Sequence, residues 1–183
     1  MHPEFWRDRW RNNEIGFHCG QVHSALERFW PQIGAQADTV LVPLCGKTLD
    51  MRWLAAHGYA VTGVELERRA VEAFFREWGV DAHERKRADG LVALEGAGVE
   101  LVVGDFFDFR PERPPMRFYD RAALVALPRS MRLDYLEHLG RCVTPGAEGL
   151  LIAFEYDPGE MAGPPFPVTA PELRAQPWFS VVC

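Results

Sequence analysis

Between positions 39 and 78 the chain runs twice through one pattern: a short aliphatic or β-branched run, a tight turn, and a stretch of helical period. Residues 39–42 (Thr-Val-Leu-Val) lack polar alternation, and the turn Pro43-Leu44-Cys45-Gly46-Lys47 leads into a helical stretch over 48–57 that Gly58 closes. Residues 59–66 (YAVTGVEL) predict a second strand. Residues 68–78 predict a second helix, with Val71, Phe74, Phe75 and Trp78 spaced i, i+3, i+4, i+7 along one face. Strands apolar on both faces must be covered on both, and a helix between two of them makes them parallel. Further strands are expected over 99–103, 118–124 and 149–154 (GLLIAF), with a helix over 129–139 and a small hairpin formed by 91–94 with the strand at 99. The fold class that follows is α/β, a doubly wound and mostly parallel sheet in one domain spanning 1–183, with residues 1–38 as an N-terminal helical cap.

Composition narrows the function. Asp and Glu outnumber Lys and Arg by 26 to 20, a net charge of −6 that argues against a nucleic-acid partner. The run Glu84-Arg85-Lys86-Arg87 mixes signs and is expected to be a solvated face. No apolar stretch is long enough for a membrane span or a secretory h-region, so no membrane partner and a cytoplasmic location are expected. Cys19, Cys45, Cys142 and Cys183 are too scattered for a zinc or redox motif, the histidines lack HExxH spacing, and no metal is expected.

In a doubly wound sheet ligands bind beyond the carboxyl ends of the strands. The residues there are Leu44 to Lys47, Glu65, Asp105-Phe106 and Asp120-Arg121. Gly46-Lys47-Thr48 ends like a phosphate loop, but the glycine required five positions earlier is Leu41, and GxGxxG is absent. A carboxylate survives as the signal. Glu65 stands about 20 residues past the turn, where it can accept from both hydroxyls of a ribose, and Asp105 can accept from an adenine amino group. Adenosine recognition without phosphates describes S-adenosylmethionine. Cys45 is expected to be a buried, inert thiol, and Arg121 has the option of pairing with Asp120.

The motifs extend further. Phe5-Trp6-Arg7-Asp8-Arg9-Trp10 is followed by Asn13-Glu14-Ile15-Gly16-Phe17-His18. Then come Val42 to Lys47 with Asp50-Met51, Gly63-Val64-Glu65-Leu66, and Gly104-Asp105-Phe106-Phe107. Tyr119-Asp120-Arg121-Ala122-Ala123-Leu124 and Gly163-Pro164-Pro165-Phe166 complete the series. In order and spacing these resemble the thiopurine S-methyltransferase family, more closely its bacterial branch, over residues 1 to about 174. The resemblance implies a Rossmann-like class I methyltransferase that uses S-adenosylmethionine, releases S-adenosylhomocysteine, and methylates thiopurine, aromatic or heterocyclic thiols.

The same resemblance implies roles. Trp10, the Leu44 carbonyl, Gly46 and Glu65 hold the cofactor, Asp105 and Phe106 flank the adenine, and Arg121 lies by the methionine carboxylate and the acceptor. Phe17, Pro164 and Pro165 form the substrate wall. In-line attack by a sulfur nucleophile needs alignment more than a strong base, and Arg121 is assigned the catalytic part of favouring the thiolate. The bacterial branch also admits detoxification of selenium or tellurium oxyanions. Cys19-Gly20 departs from the polar residues more usual after His18. Family members continue some tens of residues past position 183, so the resemblance predicts a sheet lacking its last antiparallel strand pair. A family expected to be monomeric would here self-associate through an uncovered edge, and an impaired protein that binds S-adenosylmethionine is the alternative.

Overall fold

The computed structural model describes residues 2–33 and 39–176. The expectation that 177–183 close or expose a sheet edge lies outside them. Thr39–Pro43 (β1), Ala60–Glu65 (β2), Val99–Val103 (β5), Arg117–Arg121 (β6) and Glu148–Ile152 (β7) pair in parallel. His83–Lys86 (β3) and Val92–Gly96 (β4) extend the sheet antiparallel from β5, giving the order β3-β4-β5-β2-β1-β6-β7. The chain builds outward from β1 to β2 and β5, then returns to the other side for β6 and β7, so the order reverses at β1. The registered pairing of β1 with β6 ends at Leu41 and Phe118 although both strands run on, which opens a crevice at their carboxyl ends.

Period-two burial explains the layers. On β1, Leu41 packs into one buried cluster with Phe106, Phe109, Tyr135 and Leu139, while Val40 and Val42 pack into another with Trp30, Leu54, Val71 and Phe74. Asp50–Ala56 (α3), Arg68–Trp78 (α4) and Arg129–Cys142 (α5) supply these faces. α4 has the bounds its apolar stripe predicts, and it ends on Gly79 in the left-handed region (φ 72°). No described helix is long and apolar enough to cross a membrane.

Five expectations change. The strand expected over 149–154 runs instead from Glu148 to Ile152 and ends before Phe154, which lines the cleft at the carboxyl ends of the strands. The fourth strand stops at Arg121 rather than 124, because the buried Asp120 carboxylate accepts from the Ala123 and Leu124 backbone N–H groups and folds the chain into a turn. α5 runs three residues further than the apolar pattern, to Cys142. The run at 84–87 is mostly an edge strand: Arg85 and Arg87 converge on Glu100 at 2.6 Å each, and Arg87 is 4% exposed. Its partners sit on β4, β5 and neighbouring loops, which no local pattern reveals. The cap at 1–38 is two structures. Pro3–Arg11 (α1) buries no residue, whereas Ser24–Phe29 (α2) and the 3₁₀ turn Trp30–Gln32 drive Leu26 and Trp30 into the core.

Candidate active site

A cleft of about 520 Å³ lies at the carboxyl ends of β1, β2, β5 and β6, beneath α1, and every residue predicted for the site lines it. Its floor is the turn after β1. Leu44 (φ 46°) and Gly46 (φ 54°) both take left-handed backbone, which turns the chain back over β2. The Cys45 N–H bonds the Val64 carbonyl at 3.0 Å, and the Gly46 N–H donates to Glu65 Oε2 at 2.8 Å. The other Glu65 oxygen accepts from the Glu67 N–H at 2.8 Å. One strand-end carboxylate therefore organises two loops.

Burial pushes the Glu65 carboxyl up to about 7, against the opposing pull of these backbone donors. Burial first, and then the charge of Glu65, also raise the Cys45 thiol well above its usual range. This keeps Cys45 in its inert, protonated form, as its residue environment in the sequence implies. A Cβ on Gly63 would lie 2.7 Å from the Cys45 sulfur, so the glycine in β2 makes the room this thiol occupies.

Above the floor, Trp10 approaches so closely that a Cβ on Gly46 would stand 3.3 Å from its ring. Trp10 and Trp6 each meet Phe17 edge to face, with centroids 5.6 and 5.7 Å apart. The Arg121 guanidinium donates to the Phe17 carbonyl at 3.2 Å and so ties this aromatic group to the end of β6. Pairing of Arg121 with Asp120 does not occur, because Asp120 Oδ2 accepts from the Tyr135 hydroxyl at 2.7 Å and Oδ1 is taken by the turn. Burial nonetheless raises the Asp120 carboxyl to about 6.

Asp105, which lines the cleft, caps the Phe107 N–H through Oδ1 at 3.0 Å, and one carboxylate oxygen is left over from this cap. Phe106 is 3% exposed and packs on Phe109, Tyr135 and His138, so it offers the cleft little more than an edge. Pro164 and Pro165 are held against the far wall by the Phe166 N–H on the Val125 carbonyl (2.6 Å) and by the Tyr156 hydroxyl on the Pro165 carbonyl.

Sequence reasoning missed Phe107, Met131, Ile152 and Phe154, which add apolar surface to the cleft. Apolar residues at strand ends and on helices look like core in a sequence. Lys47 also lines the cleft, but its ammonium is bound to Glu77 at 2.7 and 3.0 Å. Among the described residues no group of three His, Cys, Asp or Glu could hold a metal ion.

Comparison with known proteins places this geometry. The family model described as thiopurine S-methyltransferase matches residues 1–180. The thiopurine S-methyltransferase of Pseudomonas putida KT2440 is 48% identical over 177 residues, covering 95% of this chain and 82% of that protein. That of Methylococcus capsulatus is 46% identical over 171 residues, covering 92% and 77%. Among solved structures, the 1,6-didemethyltoxoflavin-N1-methyltransferase of Burkholderia thailandensis superposes with a TM-score of 0.63 at 16% identity, over 85% of this chain and 62% of its own. A TehB-like SAM-dependent methyltransferase of Corynebacterium glutamicum does so with a TM-score of 0.55 at 16% identity, over 87% and 78%. These two establish the fold as that of class I methyltransferases. With nearly half of its residues shared across almost its whole length, the chain belongs to the thiopurine S-methyltransferase family, whose members use S-adenosylmethionine as methyl donor.

Proposed function

We propose that this enzyme methylates the sulfur of an aromatic or heterocyclic thiol, with the donor seated on the β1–β2–β5 side of the cleft and the acceptor on the β6–β7 side. One observation carries the reading. A single cleft, of a size usual for small-molecule sites (about 300–1,000 Å³), joins a polar half built around Glu65 and Asp105 to an apolar half walled by Ile152, Phe154 and Pro164-Pro165.

The residues fit an adenosine-bearing donor. Glu65 has lone pairs left after its two backbone bonds, and these can accept from ribose hydroxyls. The second Asp105 oxygen suits an exocyclic amino group, and a carbonyl such as that of Leu44 in the cleft lining can accept from an ammonium group. When bound, S-adenosylmethionine supplies an electrophilic methyl on a sulfonium centre.

The chain's own contribution is alignment and exclusion of water. Trp6, Trp10 and Phe17 cover the cleft, and the Arg121 bond to the Phe17 carbonyl holds that cover in place. The remaining Arg121 nitrogens form no ion pair among the described residues and can favour an anion, either a carboxylate or a thiolate. A thiol on an aromatic ring is already largely ionised near neutral pH, so no general base is required of the protein.

The test is calorimetric titration with S-adenosylhomocysteine, followed by methyl transfer to a thiophenol and to its phenol and aniline analogues. Binding with transfer to sulfur alone is expected. Transfer to oxygen or nitrogen in preference to sulfur would overturn the reading.

A further inference from the structure

The three arginines of α1 are treated unequally. Arg7 and Arg11 face away from the cleft and are hydrogen-bonded to carboxylates, Arg7 to Glu4 at 2.5 Å and Arg11 to Asp8 at 2.8 Å. Arg9, between the two tryptophans of the cover, lines the cleft. Its Nε is buried with no hydrogen-bond partner, and its guanidinium rests over the Phe5 ring at 4.8 Å. Its one carboxylate neighbour, Glu14, stands 3.6 Å away without a hydrogen bond. A guanidinium offers donors in a planar fork, and a buried donor without an acceptor is costly enough to be rare in native structures. Arg9 is a cation fixed at a ligand cleft with its bonding incomplete.

We propose that Arg9 is a second anion contact of this cleft, binding a carboxylate of a bound small molecule. The chemistry has two sources: the amino-acid carboxylate of the donor, or a carboxylate on the ring of the acceptor. The inference rests on the reading of the cleft given above and adds a residue and a preferred substrate charge to it. Phe5 holds the guanidinium by its face, which leaves the fork's edge for the ligand. Glu14 is more than half exposed and easily displaced, so it serves as a counter-ion that a ligand anion can replace.

Two ligand pairs separate the sources. S-adenosylhomocysteine and 5′-methylthioadenosine share the nucleoside and thioether but only the first has a carboxylate. A thiophenol with a ring carboxylate and the unsubstituted thiophenol differ in the same way. With wild type, Arg9→Met and Arg9→Lys, calorimetry is run on the first pair and KM is measured on the second.

Arg9→Met is expected to weaken one carboxylated ligand about ten-fold and leave its uncharged counterpart unchanged, while Arg9→Lys recovers part of the loss. Glu14→Gln should tighten the same ligand. α1 buries no residue, so the Met variant should unfold at the wild-type temperature, which separates contact loss from misfolding. Equal effects on both members of each pair, or no effect on any, overturn the proposal. Wild-type protein that binds neither S-adenosylhomocysteine nor the thiols overturns the reading of the cleft, and this inference with it. Wild type that binds them, alongside an indistinguishable Arg9→Met, overturns the inference alone.

Discussion

Replacing Glu65 by glutamine separates what this residue does for a ligand from what it does to the fold. Burial lifts its carboxyl from 4.5 to about 7. Between those values the native state keeps a proton that the unfolded chain has released. Stability therefore falls as pH rises through the window, and the loss is complete once pH passes the folded value. At 1.36 kcal/mol per pH unit the whole loss is about 3 kcal/mol. The protonated acid and the glutamine amide share one defect, a single good acceptor oxygen facing the Gly46 and Glu67 N–H groups.

The two proteins should then be of similar stability near pH 4.5. By pH 8 the Glu65→Gln protein should be the more stable by about 3 kcal/mol, or about 6–12 °C in Tm for a chain of this size. Asp120, raised to about 6, contributes a slope of the same sign to both and cancels in the difference. Urea unfolding followed by tryptophan fluorescence at pH 5 and pH 8 measures this. Saturating S-adenosylhomocysteine should stabilise wild type and do little for the variant, which has lost hydrogen bonds to a charged acceptor of about 1.5–3 kcal/mol each. Parallel pH curves for the two unliganded proteins would refute the assignment of a strained, ligand-ready carboxylate at the end of β2.

Gly46→Ala forces a side chain into left-handed backbone 3.3 Å from Trp10, so a loss of about 1–2 kcal/mol and a weaker S-adenosylhomocysteine complex are expected in urea unfolding and calorimetry. Arg121→Met should lower turnover more than stability, and methyl transfer by wild type should follow the ionisation of the acceptor thiol across a series of substituted thiophenols. A pH profile fixed across that series would point instead to an enzyme group. Arg87→Met breaks a buried link to Glu100 and Asp89 on the far edge of the sheet, so unfolding should come about 3 kcal/mol earlier with S-adenosylhomocysteine affinity unchanged.

What the sequence disclosed followed the reach of each signal. α4 was legible to the residue because its stripe and its terminal glycine are both local. β1 and β2 were legible because strands buried on both faces carry no polar alternation. β3 (His-Glu-Arg-Lys) was not, since it pairs with β4 while Arg85 and the following Arg87 reach carboxylates on other segments, and a charged tetrapeptide alone resembles solvent-facing chain. In the cleft, Glu65 and Asp105 could be reasoned from topology and hydrogen-bonding capacity. Trp10, Phe17 and the two prolines came from the family resemblance alone. Phe154 and Met131 escaped both, because whether an apolar side chain faces core or cleft depends on where β1 and β6 part.

The attachment of α1 has a kinetic consequence. The helix buries no residue, and the segment behind it is fastened at separated points: the Arg121 bond to the Phe17 carbonyl, and the His23 N–H on Asp50 Oδ1 at 2.8 Å. Lifting nine residues off the cleft disturbs aromatic contacts and one exposed ion pair, whereas opening the cleft from below would break the parallel ladders on either side of β1. The amide protons of α1 should therefore exchange with solvent orders of magnitude faster than those of β1 and β2, and a bound nucleoside should slow the first set without touching the second. If detachment of this short helix limits product release, substitutions on the outward face of α1 should change turnover without altering any group that meets the substrate.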